Sequence, residues 1–201
     1  MKRNSVGYRL AHNILKSGRF RPVLGLTGYY ITAPGYFAGN VNYTGFFLHH
    51  CIHYMDLISF LVSPVTGIAA RKVEKTPGRV LFHVAFDFAC GAIGTIAMGT
   101  IHSRGTPVER LELMGDHQRL EVEDVVEVRW HRNPPFKTAD PAATLADDQD
   151  TLIWKPNFTA AANEDQWLLR LLADVAPALH GATHQRRPSM TGSSPWSGLR
   201  R

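Results

Sequence analysis

The sequence has no apolar run of the roughly 18 residues that a membrane-spanning helix needs. It begins with basic residues, and no apolar segment follows them, so we expect neither a secretory signal nor a membrane protein. Only 2 cysteines occur among 201 residues, Cys51 and Cys90, and both stand in apolar segments. Two buried thiols without a disulfide framework are typical of a cytosolic protein.

Nucleotide-binding motifs are also missing from the sequence. Gly25 and Gly28 do not form a Gly-x-Gly-x-x-Gly turn, and there is no lysine-bearing phosphate loop. Ser103 lies beside His102 without an acidic residue at the spacing of a nucleophile triad. We therefore expect that this chain alone binds no dinucleotide cofactor.

The composition is that of one globular domain, with 44% apolar and 19% charged residues. The net charge of +5 comes largely from the two ends of the chain, and the middle mixes both signs. No basic stripe is interleaved with stacking aromatic residues, so a nucleic-acid partner is not expected. We expect a folded domain over residues 1–180 and a basic, loosely held tail over 181–201.

Periodicity and punctuation predict an α+β fold. Helices are predicted over residues 5–17, 45–62 and 163–176, and strands over 22–32, 80–88, 91–101, 108–114, 118–123 and 125–131. The strands follow one another too closely for parallel crossovers, which predicts an open, mainly antiparallel sheet with helices on one face. The other face should be covered by a second copy of the chain, giving a homodimer or higher oligomer.

Two of these helices have distinctive apolar patterns. The helix over 45–62 is apolar around most of its circumference, which predicts burial on nearly all sides. The final helix is expected to bury Trp167, Leu168, Leu171, Leu172 and Val175. Residues 133–150, rich in Pro, Ala and Asp, are predicted to form an exposed loop.

The helix over 45–62 also carries the residues with catalytic potential. His49, His53 and Asp56 stand at i, i+4 and i+7 and therefore share one face, while His50 lies about a hundred degrees round on the side of Tyr54. A histidine held by a neighbouring acid is a common general base near neutral pH, so His53 is the candidate proton acceptor. His49 and Asp56 are its candidate helpers.

Two other interpretations of this helix remain open. The same three side chains could ligate zinc or iron, although no second ligand cluster is found in the sequence. They could equally be core polar residues that are hydrogen-bonded to the sheet or loops. The loop over 33–43 is unusually aromatic, and Tyr36, Asn40, Tyr43 and the nearby His50 are candidate substrate contacts.

Several segments resemble one enzyme family in order and spacing. Gly45, followed by His53-Tyr-Met-Asp56, resembles the Gly-Gly-x-x-x-Asp-x-Gly-x-His-x-x-Asp helix of the glucose–fructose oxidoreductase, inositol dehydrogenase and rhizopine-catabolism (Gfo/Idh/MocA) family. Residues 8–20 resemble the helix that leaves that family's dinucleotide domain, residues 109–123 its hairpin, and residues 163–176 its closing helix. The resemblance extends to about residue 180.

The resemblance implies the C-terminal substrate domain of an NAD(P)-dependent oxidoreductase, without the preceding Rossmann domain. It places His53 at the family's catalytic histidine, His49 at an aspartate and Cys51 at a glycine, while the family's Glu-Lys-Pro lysine belongs to the absent domain. It further implies a sugar or polyol substrate and a separate Rossmann partner. The alternatives are a non-enzymatic dimeric scaffold or carbohydrate-binding module, and a metal-dependent enzyme using His49, His53 and Asp56.

Overall fold

The computed structural model describes residues 2–34, 44–103, 107–132, 140–148 and 151–157, and helical residues at 168–169, 171–173 and 175–177. In these ranges, nine strands form a single sheet. They are β1 (Val23–Ile31), β2 (Val65–Thr76), β3 (Arg79–Phe88), β4 (Ile93–Gly99), β5 (Val108–Gly115), β6 (Gln118–Glu123), β7 (Glu127–His131), β8 (Ala143–Asp148) and β9 (Thr151–Pro156).

The sheet is open and mainly antiparallel, as the sequence predicts. Its order is β2-β3-β4-β1-β5-β6-β7-β9-β8. The single parallel pairing joins β1 to β4, in a register that sets Tyr29 beside Ala97. Because a helix and two strands lie between β1 and β4 in the chain, the connection is long enough for parallel strands.

The sequence analysis did not predict three of the strands, β2, β8 and β9. β2 lies at one edge of the sheet and is exposed along most of its length, so its charged residues show no alternation of buried and exposed positions. β8 falls within residues 143–148, which the sequence assigned to a loop, and it pairs only with β9 at the other edge. Because β2 buries little, it lacks the buried face that hydrophobic alternation detects.

The core lies on one face of the sheet. β3 shows it most clearly, because Val80, Phe82, Val84, Phe86 and Phe88 are all buried, in agreement with the predicted alternation. Helix α1 (Val6–Lys16) covers the β6 and β7 end of this face. Gly18, with φ of 73°, follows α1 in the left-handed conformation typical of a helix end. Helices on one face of the sheet are thus confirmed.

The second covering element is a continuous helical segment that we call the His helix. It consists of an α turn (Thr44–Phe46), a π-helical stretch (Phe47–Cys51) and an α-helix (Ile52–Leu61). Its inner face contains buried Phe46, Cys51, Tyr54, Leu57, Ile58 and Leu61. Its outer face exposes Leu48 at 62% and Ile52 at 49%, so the prediction of burial on nearly all sides is wrong. The sheet contacts only one side of it.

Two further burial predictions are wrong. Leu168, Leu172 and Val175 are helical but exposed, because an apolar stripe indicates a helix and does not ensure a surface for the stripe to pack against. Cys51 is buried as predicted, whereas Cys90 is exposed in the turn between β3 and β4, and both thiols are free. Trp167 and the tail over 181–201 lie outside the described residues.

Phe86→Ala should lower the free energy of unfolding by about 3–5 kcal/mol, because it removes a fully packed ring from the core. Ile68 is its cross-strand partner on the edge strand and is 62% exposed, which makes Ile68→Ala a matched control. The control substitution should lower the free energy of unfolding by about 0.5 kcal/mol or less. Chemical denaturation followed by circular dichroism measures both values, and equal losses of stability would contradict the difference in burial between Phe86 and its partner on the edge strand.

Candidate functional site

The π-helical stretch shapes the candidate site. Phe47–Cys51 contains His49 and His50, and such single-turn irregularities inside α-helices often occur at functional sites. His49 is exposed, His50 and His53 are half-buried, and Asp56 is exposed. The three residues predicted to share a face therefore all reach the outer side of the His helix, beside Leu48 and Ile52.

Asp56 does not orient His53 through a hydrogen bond. Its Oδ1 lies 3.4 Å from Nη1 of Arg3, in an ion pair exposed to solvent. The ring nitrogens of His53 form no hydrogen bond within the described part of the chain. Burial lowers the pKa of His53, and the positive charge of Lys2 adds to this, while the carboxylates of Asp56 and Glu109 oppose it. His53 is consequently neutral at pH 7 and able to accept a proton.

His50 is placed differently from its two neighbours. Its Nδ1 contacts the hydroxyl of Tyr30 on β1, and its ring lies 6.2 Å from the ring of Phe46. Burial lowers the pKa of His50 to about 4, and the charges of Lys2, His49 and His53 act in the same direction. His50 is thus a neutral, fixed imidazole whose hydrogen-bond partner comes from the sheet.

A buried polar cluster, which the sequence analysis did not predict, lies beneath the His helix. Lys2 forms an ion pair with Glu109 on β5, at 2.5 Å from Nζ to Oε1, and Tyr54 donates its hydroxyl proton to the same carboxylate. The Lys2 ammonium also lies 5.1 Å from the ring centre of Tyr30 and 5.0 Å from that of Tyr54. An acidic residue at a buried position of β5, Glu109, was the only available signal.

The remaining sequence predictions concern substrate contacts, metal binding and the dinucleotide cofactor. Tyr36, Asn40 and Tyr43 lie outside the described residues, so their role as substrate contacts stays a prediction. No three His, Cys, Asp or Glu side chains in the described ranges are placed to hold a metal ion, which gives the metal-dependent alternative no support there. The chain also offers no glycine-rich turn for a dinucleotide.

Comparison with known proteins shows what the fold is similar to. No family model and no curated protein matches the sequence. Among solved structures, a dehydrogenase from Chromobacterium violaceum superposes with a TM-score of 0.61 and 16% identity, over 82% of this chain and 48% of that one. Levoglucosan dehydrogenase in complex with NADH superposes with a TM-score of 0.55 and 14% identity, over 78% of this chain and 45% of that one.

A third similar structure is the WlbA dehydrogenase from Bordetella pertussis in complex with NADH and UDP-GlcNAcA. It superposes with a TM-score of 0.51 and 20% identity, over 61% of this chain and 41% of that one. The chain thus spans less than half the length of each of these three dehydrogenases. This chain therefore shares its fold with somewhat less than half of each of these dehydrogenases, in agreement with the predicted α+β fold.

The helices that the structure describes include none long and apolar enough to cross a membrane.

The lowered pKa of His50 predicts a pH-dependent stability. Between pH about 4 and 6.5 the unfolded chain binds a proton at His50 that the folded protein does not, so the free energy of unfolding rises with pH across this window. In His50→Phe this rise should be smaller by about 1–2 kcal/mol, a value reduced to allow for the partial solvent exposure of the ring.

Denaturation of the wild type and of His50→Phe at a series of pH values measures this difference. Above about pH 7.5 the imidazole is neutral in both states, so the comparison there reports only packing and the lost hydrogen bond to Tyr30, and it serves as the internal control. Parallel stability curves between pH 4 and 6.5 would contradict the buried, neutral assignment of His50.

Proposed function

We propose that this chain is the substrate-side domain of an NAD(P)-dependent oxidoreductase that acts on a sugar, a polyol or a related hydroxy compound. One observation carries the proposal: the His helix is packed against the sheet on one side and turns His49, His53 and Asp56 outward on the other. Apolar Leu48 and Ile52 are exposed beside them, which is unusual for a helix face meant only for water.

His53 supplies the proton chemistry in this proposal. A neutral imidazole accepts the proton of a substrate hydroxyl, and its low pKa keeps it in the accepting form near neutral pH. Oxidation of the alcohol also needs a hydride acceptor, and the proposal assigns that cofactor to a separate nucleotide-binding domain, because the residues of this chain do not fit a dinucleotide. The similar dehydrogenases that are solved with NADH support this division.

A second copy of the chain is proposed to cover the outer face of the sheet. Ala69, Ala85, Thr95 and Thr27 form a row of small residues across four neighbouring strands. Small side chains permit close approach of another layer, and Ile93 stands beside this row with 65% of its surface exposed. Farther along, β5, β6 and β7 present mixed charges, including the ion pair of Arg119 with Glu121.

A non-enzymatic carbohydrate-binding scaffold is the second candidate. His49 favours this candidate, because it stands where the resemblance implies an aspartate. The catalytic histidine, His53, would therefore lack the acidic partner that the resemblance implies one turn earlier in the helix. The two candidates agree on sugar binding and differ on proton transfer at His53.

The catalytic proposal predicts that His53→Gln lowers kcat by about 100-fold or more, since glutamine keeps hydrogen bonding but accepts no proton. The measurement uses a fusion of this chain to the nucleotide-binding half of a similar dehydrogenase, with NADH formation followed over a panel of sugars and polyols. His117→Asn, in an exposed turn, is the control and should retain the wild-type kcat. Turnover that is equal in His53→Gln would leave the scaffold as the better account.

The isolated chain should bind no NADH in a fluorescence titration, because it has no site for the dinucleotide. Tight binding of NADH to the chain alone would contradict the division of the enzyme between two domains.

Ala85→Arg should convert a dimer into a monomer in sedimentation analysis, because a long cation would stand in the row of small residues at the proposed interface. Lys155→Arg, on the exposed part of β9, is the matched control and should leave the dimer intact. A wild-type chain that sediments as a monomer at all concentrations would overturn the proposed interface.

A further inference from the structure

The ion pair of Lys2 and Glu109 is a costly feature of the structure. The two side chains are only 15% and 8% exposed, and charges buried to this degree lose hydration that their mutual attraction repays only in good geometry. The pair is supported by further contacts: the Tyr54 hydroxyl donates to the carboxylate, and the Glu109 amide donates to Oδ1 of Asp124 at 3.2 Å. These contacts fix the Lys2 ammonium at one position.

That position lies against the ring of Tyr30. The ammonium is 5.1 Å from the ring centre, within the range of a cation–π interaction. A positive charge over a phenol draws electron density from its oxygen, which makes the hydroxyl a stronger donor and a weaker acceptor. The Tyr30 hydroxyl, in turn, contacts Nδ1 of His50. The ring of Tyr30 therefore links Lys2 to His50 by two direct contacts.

We propose that Lys2 is a positioning residue that sets the tautomer of His50. With Lys2 in place, Tyr30 donates to Nδ1, so this nitrogen is the acceptor and the ring proton resides on Nε2. Without the charge, the reverse bond from Nδ1–H to the Tyr30 oxygen becomes competitive. The tautomer of a histidine follows from the bond that its other nitrogen makes.

The inference assigns different roles to two histidines, and in this respect it rests on the proposed function. His50, protonated at Nε2, is held by the sheet through its Nδ1. His53 remains the proton acceptor.

The test is long-range ¹H–¹⁵N correlation spectroscopy of the full chain, which reports which ring nitrogen of His50 carries the proton. The wild type should show Nε2–H, with Nδ1 at the chemical shift of an unprotonated nitrogen. Lys2→Met should move Nδ1 toward the shift of a protonated nitrogen. Lys2→Arg retains the charge and should restore the wild-type pattern, while Lys16→Met, at the end of α1, controls for the loss of a lysine.

Lys2→Gln is the second variant, because its amide can still donate to Glu109 if Lys2→Met does not fold. It should show the same change in the Nδ1 shift. An unchanged Nδ1 shift in a folded Lys2→Met or Lys2→Gln would overturn the proposal, as would Nδ1–H in the wild type. The spectra need no cofactor, substrate or second domain, so their outcome is separate from that of the turnover experiment with His53→Gln.

Discussion

The arrangement of this domain depends on the seating of the His helix against the sheet. Aromatic packing buries most of the contact between them: the Tyr54 ring lies 5.4 Å from Tyr30 on β1, and the Phe47 ring lies 4.9 Å from Phe82 on β3. The ion pair of Lys2 with Glu109, to which the Tyr54 hydroxyl donates a hydrogen bond, fixes the orientation of the helix on the sheet. A hydrophobic contact tolerates rotation, whereas a buried charge pair has few satisfactory geometries.

The chemistry of the outer face follows from this seating. With Tyr54 held inward, His49 and His53 are directed outward, and His50 is left at the boundary where it meets Tyr30. Partial burial then keeps both His50 and His53 neutral by lowering their pKa values. The same packing that stabilises the helix thus prepares the imidazoles for hydrogen bonding and proton acceptance.

The sequence predicted the parts of the fold whose residues alternate between core and solvent. The alternation of β3 and the apolar stripe of α1 appear in the structure as predicted. Edge strand β2 was missed because it buries too little for any pattern to develop. The closing segment is helical as predicted, but the apolar residues that were expected to be buried are exposed. Periodicity indicates an apolar helix face and does not show whether another surface packs against that face.

The candidate site was only partly accessible to sequence reasoning. The i, i+4, i+7 spacing identified the outward residues, but it could not show that Asp56 pairs with Arg3, a residue far away in the chain. Lys2 and Glu109 are 107 positions apart, and no local pattern links them. The π-helical turn at Phe47–Cys51 also has no sequence signature that we could identify, although it changes how His49 and His50 are presented.

The central claim is that the His helix presents His49 and His53 outward while His50 is held by the sheet. Carbethoxylation of the folded chain at neutral pH, mapped by mass spectrometry, tests it most directly because the reagent reacts with accessible neutral imidazoles. We expect His49 and His53 to be modified severalfold faster than His50. Protection of all three histidines, or fastest reaction at His50, would show that the outward face described here does not exist.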